Sequence, residues 1–381
     1  MRGFLLAFAI VSACTLTPFV ALGVRLIQLG ELGVDPAAAH SSLTGQLFAD
    51  RAILKLGATR SVRPDVLILG SSRVGEFRRV LFAGCAGRDD CVYNATGAVS
   101  TLAKAADFLD ALAAGGGRMP RVLLLGIDTW ALDPNYELLR EPQVEPLHRD
   151  LKEQLDYALA VTRSALSPVI TDPAVRDVVL GRTTVASDQT GLAAFAHGTG
   201  DRPDGSTKID DRIWRAALAQ SDADRSALNL RLLSIGGLEF EPFDRADDAA
   251  LRDLDRLIAT ARRLGVSLVV FTPPFGDALL GAMRKQPHFG AGLADAESRL
   301  DSMLTAHGIP HRVALDLAAY GCATDEHYDG LHVSEVCGAR ILQSLLGQAD
   351  IRAALGPYAD AAALADLVRG RHSSYVLTDE P

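Results

Sequence analysis

Val66-Leu67-Ile68-Leu69-Gly70-Ser71-Ser72-Arg73 is an unbroken aliphatic run that ends on a glycine, two serines and a cation. Four large apolar residues, two of them β-branched, predict a short strand buried on both faces, as in a parallel sheet. Working outward, the same signature recurs. Residues 91–94 read as a second strand, 121–128 as the clearest of all, 266–272 as another broken by Pro273-Pro274, and 313–317 as the last. Helical patterns fall between them, over 99–113, 246–264, 291–306 and 334–346, with 73–82 also read as helical. Strand-then-helix alternation predicts an α/β three-layer sandwich, a mostly parallel sheet with helices on both faces.

Three stretches lie outside that rhythm. Residues 133–244 form an insertion with a helical piece at 146–166 and Gly-rich loops near 198–206, expected to cap the sheet edge. Residues 348–381 read as a polar, Ala-rich tail of weak helical signal with a loose end at 378–381, and 28–63 as a juxtamembrane segment with a helix near 42–56. Residues 64–347 then hold the main domain. From Gly3 to Val24 no residue is charged, and a helix of that length spans roughly 33 Å, enough for a bilayer core. Residues 1–27 are therefore expected to be an N-terminal transmembrane anchor, with a buried helix of a soluble protein as the alternative. Val11-Ser12-Ala13-Cys14 also resembles a lipoprotein cleavage box, which leaves a lipidated Cys14 as a further option.

Composition narrows the partners. The formal net charge is -9 and no stripe of Lys and Arg exists, so a nucleic-acid backbone would be repelled. Outside the apolar run the cysteines form two local pairs, Cys85 with Cys91 and Cys322 with Cys337. An even number suits disulfides in an oxidising compartment; neither pair has the close spacing of a zinc knuckle.

The ends of the strands carry the chemistry. In a parallel sheet, ligands gather outside the carboxyl ends of the strands. Ser71 and Ser72 follow the first strand there, Asn94 and Gly97 the second, and Asp128 the third. Tyr328-Asp329-Gly330-Leu331-His332 lies after the last. A serine becomes a nucleophile when an imidazole takes its proton and a carboxylate orients that imidazole. Ser72, His332 and Asp329 supply those parts, with Ser71 as an alternative nucleophile. Each also has a plain reading, as a helix cap, a satisfied histidine or a turn. Asn94 is either an oxyanion-side donor or a turn residue. Asp128 is expected to organise loop amides, and Arg73 is either a solvated charge or a contact for an acidic substrate. His327 with Asp325 and His332 is an alternative metal cluster, and Thr96-Gly97-Ala98 an alternative nucleotide turn that lacks the further glycines it needs.

These blocks, in this order, resemble the SGNH (GDSL-like) hydrolase superfamily. Gly70-Ser71-Ser72 is similar to its first block, Gly97 to the oxyanion glycine of the second, Gly126-Ile127-Asp128 to the third, and Asp329-Gly330-Leu331-His332 to the Asp-x-x-His of the last. Ser71 replaces the usual Asp of block one, and Asp128 stands where an amide donor is usual. The resemblance implies a flavodoxin-like sheet, a Ser72-His332-Asp329 triad, an oxyanion hole from Ser72, Gly97 and Asn94, and neither metal nor cofactor. The Gly-Ser-Ser variant with an anchor resembles extracytoplasmic O-acyltransferases and D-alanyl transfer proteins. It implies a single-pass protein of the bacterial inner membrane, its catalytic domain in the periplasm or outside the cell. That protein would act on acyl, chiefly acetyl, esters of cell-surface polysaccharide, with a membrane acyl-donor protein as a possible partner. A degenerate SGNH fold that binds or scaffolds polysaccharide machinery is the alternative.

Overall fold

The computed structural model describes residues 17–26, 51–136, 169–183, 200–209 and 211–377, with positions 28, 166 and 196. Its strands are β1 (Val66–Gly70), β2 (Val92–Thr96), β3 (Val122–Gly126), β4 (Gly200–Asp201), β5 (Thr207–Lys208), β6 (Ser267–Phe271) and β7 (His311–Arg312). Its helices, in chain order, are α1 (Arg51–Val62), α2 (Leu102–Ala114), α3 (Pro173–Val179), α4 (Asp211–Leu218), α5 (Asp222–Arg225) and α6 (Ala227–Ile235). There follow α7 (Asp248–Arg263), α8 (Asp277–Lys285), α9 (Pro287–Ala306), α10 (Glu335–Leu346), α11 (Ala349–Leu355) and α12 (Ala361–Arg369).

Five strands form one parallel sheet in the order β2-β1-β3-β6-β7. Val66 lies level with both Val92 and Val122, and Val122 with Ser267, so the carboxyl ends of four strands form one even rim. The chain leaves β1 to one side for β2 and returns on the other for β3. That reversal opens a crevice at the end of β1, the usual ligand position in such sheets.

Alternation along each strand divides the core. Leu67, Leu69, Leu123, Leu125, Leu268 and Val270 pack with α1, α2, α7, α8 and α9 on one face. Val66, Ile68, Val122, Leu124, Val269 and Phe271 pack with α10, α11 and α12 on the other. This is the three-layer α/β sandwich expected from the apolar runs, with both faces of the sheet covered.

Several local readings change. Residues 73–82 hold no α-helix; Ser72–Val74, Arg79–Leu81 and Ala83–Cys85 are separate 3-10 turns. Long-range bonds interrupt the helix, since Gly75 O accepts from Thr207 N (2.9 Å) and Arg79 N donates to Asp204 Oδ2 (2.7 Å). The last strand starts earlier than expected and is two residues long, followed by an isolated bridge between Phe275 and Asp316. The weak helical signal of the tail corresponds to two helices, and the loose end expected at 378–381 lies outside the described residues. Helices α11 and α12 close the second face, with Ile351, Leu355, Leu364 and Leu377 fully buried, a stripe that the alanines disguised in the sequence.

The insertion does two jobs. Its β4–β5 hairpin covers the β2 edge, where Asn94 N donates to Asp204 O (2.7 Å) and Lys55 pairs with Asp201 (3.2 Å). Its helices α4 to α6 instead lie against the loop that carries Asp329 and His332. Most of the expected helices at 146–166 and 42–56, and Cys14, lie outside the described residues. So does most of the apolar run 3–24. Residues 17–26 are helical, with Leu22 and Leu26 buried and the Arg25 guanidinium on the Val178 and Val179 carbonyls. Among the described residues no helix is long and apolar enough to cross a membrane. Cys85–Cys91 and Cys322–Cys337 are disulfides, as in proteins of oxidising compartments.

Candidate active site

Strand β1 delivers its last residue, Gly70, into a place only a glycine fits. A Cβ there would lie 2.8 Å from Val74 Cγ1 and 3.0 Å from Gly126 O. The chain then turns at once. Ser71 caps the short turn by accepting from Arg73 N (3.2 Å), and Ser72 is left exposed at the rim. Ser72 Oγ lies 2.7 Å from His332 Nε2. The imidazole in turn lies with Nδ1 2.6 Å from Asp329 Oδ2. Asp329 Oδ1 accepts from the amides of Leu331 (2.9 Å) and His332 (2.7 Å), so the carboxylate is held by the backbone it serves.

Burial alone would raise the Asp329 carboxyl. The adjacent His332 ring and three hydrogen bonds outweigh it and hold the carboxyl below its ordinary value, so the acid stays ionised. The carboxylate requires an N–H at Nδ1, which leaves Nε2 as the acceptor facing Ser72. Tyr328 stacks on the His332 ring at 5.3 Å between centroids, and Trp214 meets Tyr328 edge-on. The geometry selects Ser72 over Ser71. The Ser71 hydroxyl turns to Asp128 and the Arg73 amide instead.

Arg73 is neither a solvated charge nor a surface contact; it is 2% exposed. Its Nη1 pairs with Asp128 Oδ1 (3.0 Å) and its Nη2 donates to the carbonyls of Pro273 (2.8 Å) and Pro274 (2.6 Å). Its Nε donates to Leu331 O (2.9 Å), and its guanidinium lies 3.9 Å from the centre of the Phe275 ring. Arg73 adjoins Ser72 and Leu331 adjoins His332, so one side chain ties the nucleophile's turn to the histidine's loop. Asp128 thus organises the rim, through this ion pair and Ser71 rather than through loop amides. Burial pushes the Asp128 carboxyl up and the Arg73 guanidinium down, and each opposes the other's shift by its own charge.

Two expected oxyanion donors are engaged elsewhere. Gly97 N donates to Gly70 O (3.0 Å), closing the β1–β2 rim. Asn94 is a buried strand residue rather than a turn, and its Nδ2 donates to the carbonyls of Val74 (2.7 Å) and Phe77 (3.1 Å). It ties down the stretch behind Ser72 and does not face the serine's partner. The Ser72 amide makes no hydrogen bond among the described residues and remains available as a donor.

No metal cluster forms from His327, Asp325 and His332. His327 lies with Nε2 on Asp222 (2.7 Å) and accepts from Gly330 N at Nδ1 (2.9 Å), while His332 is engaged with Ser72 and Asp329. Cys322, Glu326 and Cys337 lie close together, but the two sulfurs are bonded to each other and Glu326 pairs with Arg340. Sequence reasoning missed Asp222 and Asn229 and read His327 only as a metal-ligand alternative; all three hold the acid's loop. Asn229 donates to Asp329 O (2.8 Å). Both Asp222 and Asn229 belong to the insertion, where no periodicity pointed to the site. Compared with known proteins, the chain matches no family model, no curated protein and no solved structure.

Proposed function

We propose that this protein is a serine acyl hydrolase or acyltransferase of SGNH type, working through Ser72, His332 and Asp329. The observation that carries the reading is the continuous chain Ser72 Oγ–His332 Nε2 (2.7 Å) and His332 Nδ1–Asp329 Oδ2 (2.6 Å), placed at the exposed switch point of a parallel sheet. In this mechanism His332 takes the Ser72 proton as Oγ bonds to an ester carbonyl carbon. The tetrahedral adduct collapses, the ester's alkoxy oxygen leaves with the proton from His332, and an acyl-serine remains. Water or a sugar hydroxyl, deprotonated by His332, then receives the acyl group and frees Ser72. Asp329 holds the imidazolium and its tautomer throughout.

The substrate class follows from the resemblance and the setting: O-acyl, chiefly acetyl, esters of extracytoplasmic glycans. The two disulfides favour an oxidising compartment, and the charge-free run Gly3 to Val24 favours a single inner-membrane anchor. Turnover of an aryl acetate should be lost in Ser72→Ala with the thermal unfolding profile unchanged. Full activity in that variant would remove Ser72 as the nucleophile.

A second reading has an observation of its own. With Gly97 N on Gly70 O and the Asn94 amide on the carbonyls behind Ser72, the Ser72 amide is, among the described residues, the one of the three expected oxyanion donors not engaged elsewhere. Each missing donor costs about 3 kcal/mol of transition-state stabilisation. That favours a slow esterase, or a binding protein with a degenerate site. Stoichiometric labelling by a fluorophosphonate without measurable turnover would support it.

A further inference from the structure

We propose that His327 is a positioning residue for the Asp329–His332 pair, holding the Gly330 amide at an Nδ1 that Asp222 keeps unprotonated. This rests on the triad reading above but adds a residue that the triad does not include. His327 and His332 lie five positions apart, yet their surroundings are opposite. The His327 side chain is 1% exposed and its ring is held at both nitrogens. Gly330 N donates to Nδ1 (2.9 Å), and Nε2 lies 2.7 Å from Asp222 Oδ1. An amide can only donate, so Nδ1 is unprotonated and the ring proton sits at Nε2, facing the carboxylate. Asp222 is oriented in turn by Ala278 N on its other oxygen (2.8 Å).

The peptide so gripped is the one after the triad acid. Gly330 has φ +86° and a Cβ there would fall 2.6 Å from Ser226 Oγ. Its N–H is held by His327 and its carbonyl accepts from Gly276 N (2.8 Å), while Asn229 holds the carbonyl of Asp329 (2.8 Å). With the backbone fixed on both sides, the Asp329 carboxylate has one place to be. Around His327, burial disfavours the charged ring first, Asp222 and Asp329 favour it, and Arg225 disfavours it. Burial thus holds its pKa below that of an ordinary histidine, which favours the neutral ring whose Nδ1 can accept from Gly330. Protonating Nδ1 would set two donors against each other at Gly330.

Paired substitutions separate the two nitrogens. Asn at 327 keeps an acceptor near the Nδ1 position and loses the bond to Asp222; Gln keeps a donor near Nε2 and loses the acceptor for Gly330. Aryl-acetate kinetics and thermal unfolding are measured for both on the full chain, with Ser72→Ala as control. His327→Asn should hold kcat within about threefold of wild type. His327→Gln should lose about 10- to 100-fold in kcat with KM within twofold, because a small displacement of a catalytic group costs that much. Equal kcat losses in both variants, or none in either, would overturn the proposal. An independent readout covers failure of the triad reading itself: the low-field proton shared by His332 Nδ1 and Asp329 should persist in His327→Asn and vanish in His327→Gln. If Ser72→Ala retains activity but that proton behaves so, the triad reading fails and the positioning role stands. A proton unchanged in both variants overturns the role.

Discussion

The two halves of the candidate site are built by different means. Ser72 is placed locally: a buried strand, a glycine that no larger residue can replace, and one turn capped by Ser71. The Asp329–His332 loop is placed by partners from across the chain. Arg73 holds Leu331, Asn229 holds Asp329, His327 and Asp222 hold Gly330, and Cys322–Cys337 closes the segment. A strand end is rigid because its ladder is continuous. A long loop has no ladder, so its geometry depends on side chains that reach it.

That contrast predicts a graded set of outcomes. Ser72→Ala removes the nucleophile and should lower kcat for an ester by 10³-fold or more at unchanged stability. Arg73→Met should act on both halves. It leaves Asp128 buried without a counter-charge, at a cost of about 3–5 kcal/mol in denaturant unfolding. The double change Arg73→Met with Asp128→Asn should recover most of that stability but little of the activity, because Leu331 O still lacks its donor. Recovery of both would mean that the strut does not align the loop.

Breaking the Cys322–Cys337 link by Cys322→Ser with Cys337→Ser should lower stability by about 3 kcal/mol, as expected for a 15-residue separation, and lower kcat beyond the loss of folded protein. The other disulfide, Cys85–Cys91, closes a loop of separation 6 behind the serine's turn, and its removal should leave kcat nearly unchanged. Asn229→Ala should cost about 1 kcal/mol and a few-fold in kcat.

Away from the site, Asp133 is buried and its carboxyl is pushed up to about 6, chiefly by burial. A raised carboxyl pKa means the fold binds the proton more tightly than the unfolded chain. The stability it lends is full below about pH 4 and is lost as pH rises through 6. Asp133→Asn keeps an acceptor for Asn135 N and should raise stability by about 2 kcal/mol at pH 7, with no gain at pH 4. Equal effects at both pH values would place its pKa elsewhere.

The same division explains what the sequence could show. The sheet was legible because β1, β3 and β6 are near-continuous aliphatic runs, and Ser72, Asp329 and His332 fall on its rim in the expected order. Local patterns do not reveal which distant group a side chain will meet. Arg73 looks like a surface charge until four acceptors and an aromatic ring surround it. Asn94 looks like a turn residue until its amide is seen binding the carbonyls behind Ser72, and Gly97 like an oxyanion donor until its N–H is found on Gly70. After Gly347 only a weak helical signal was legible, and the buried face was not, because alanine gives helical propensity without marking which side is buried.

The most direct measurement is peptide mass spectrometry after reaction with a fluorophosphonate. A nucleophile activated by His332 and Asp329 should carry a single adduct, assigned by fragmentation to Ser72 and absent in His332→Ala. An adduct on Ser71 or elsewhere, or none on the folded wild-type protein, would contradict an activated serine at this rim.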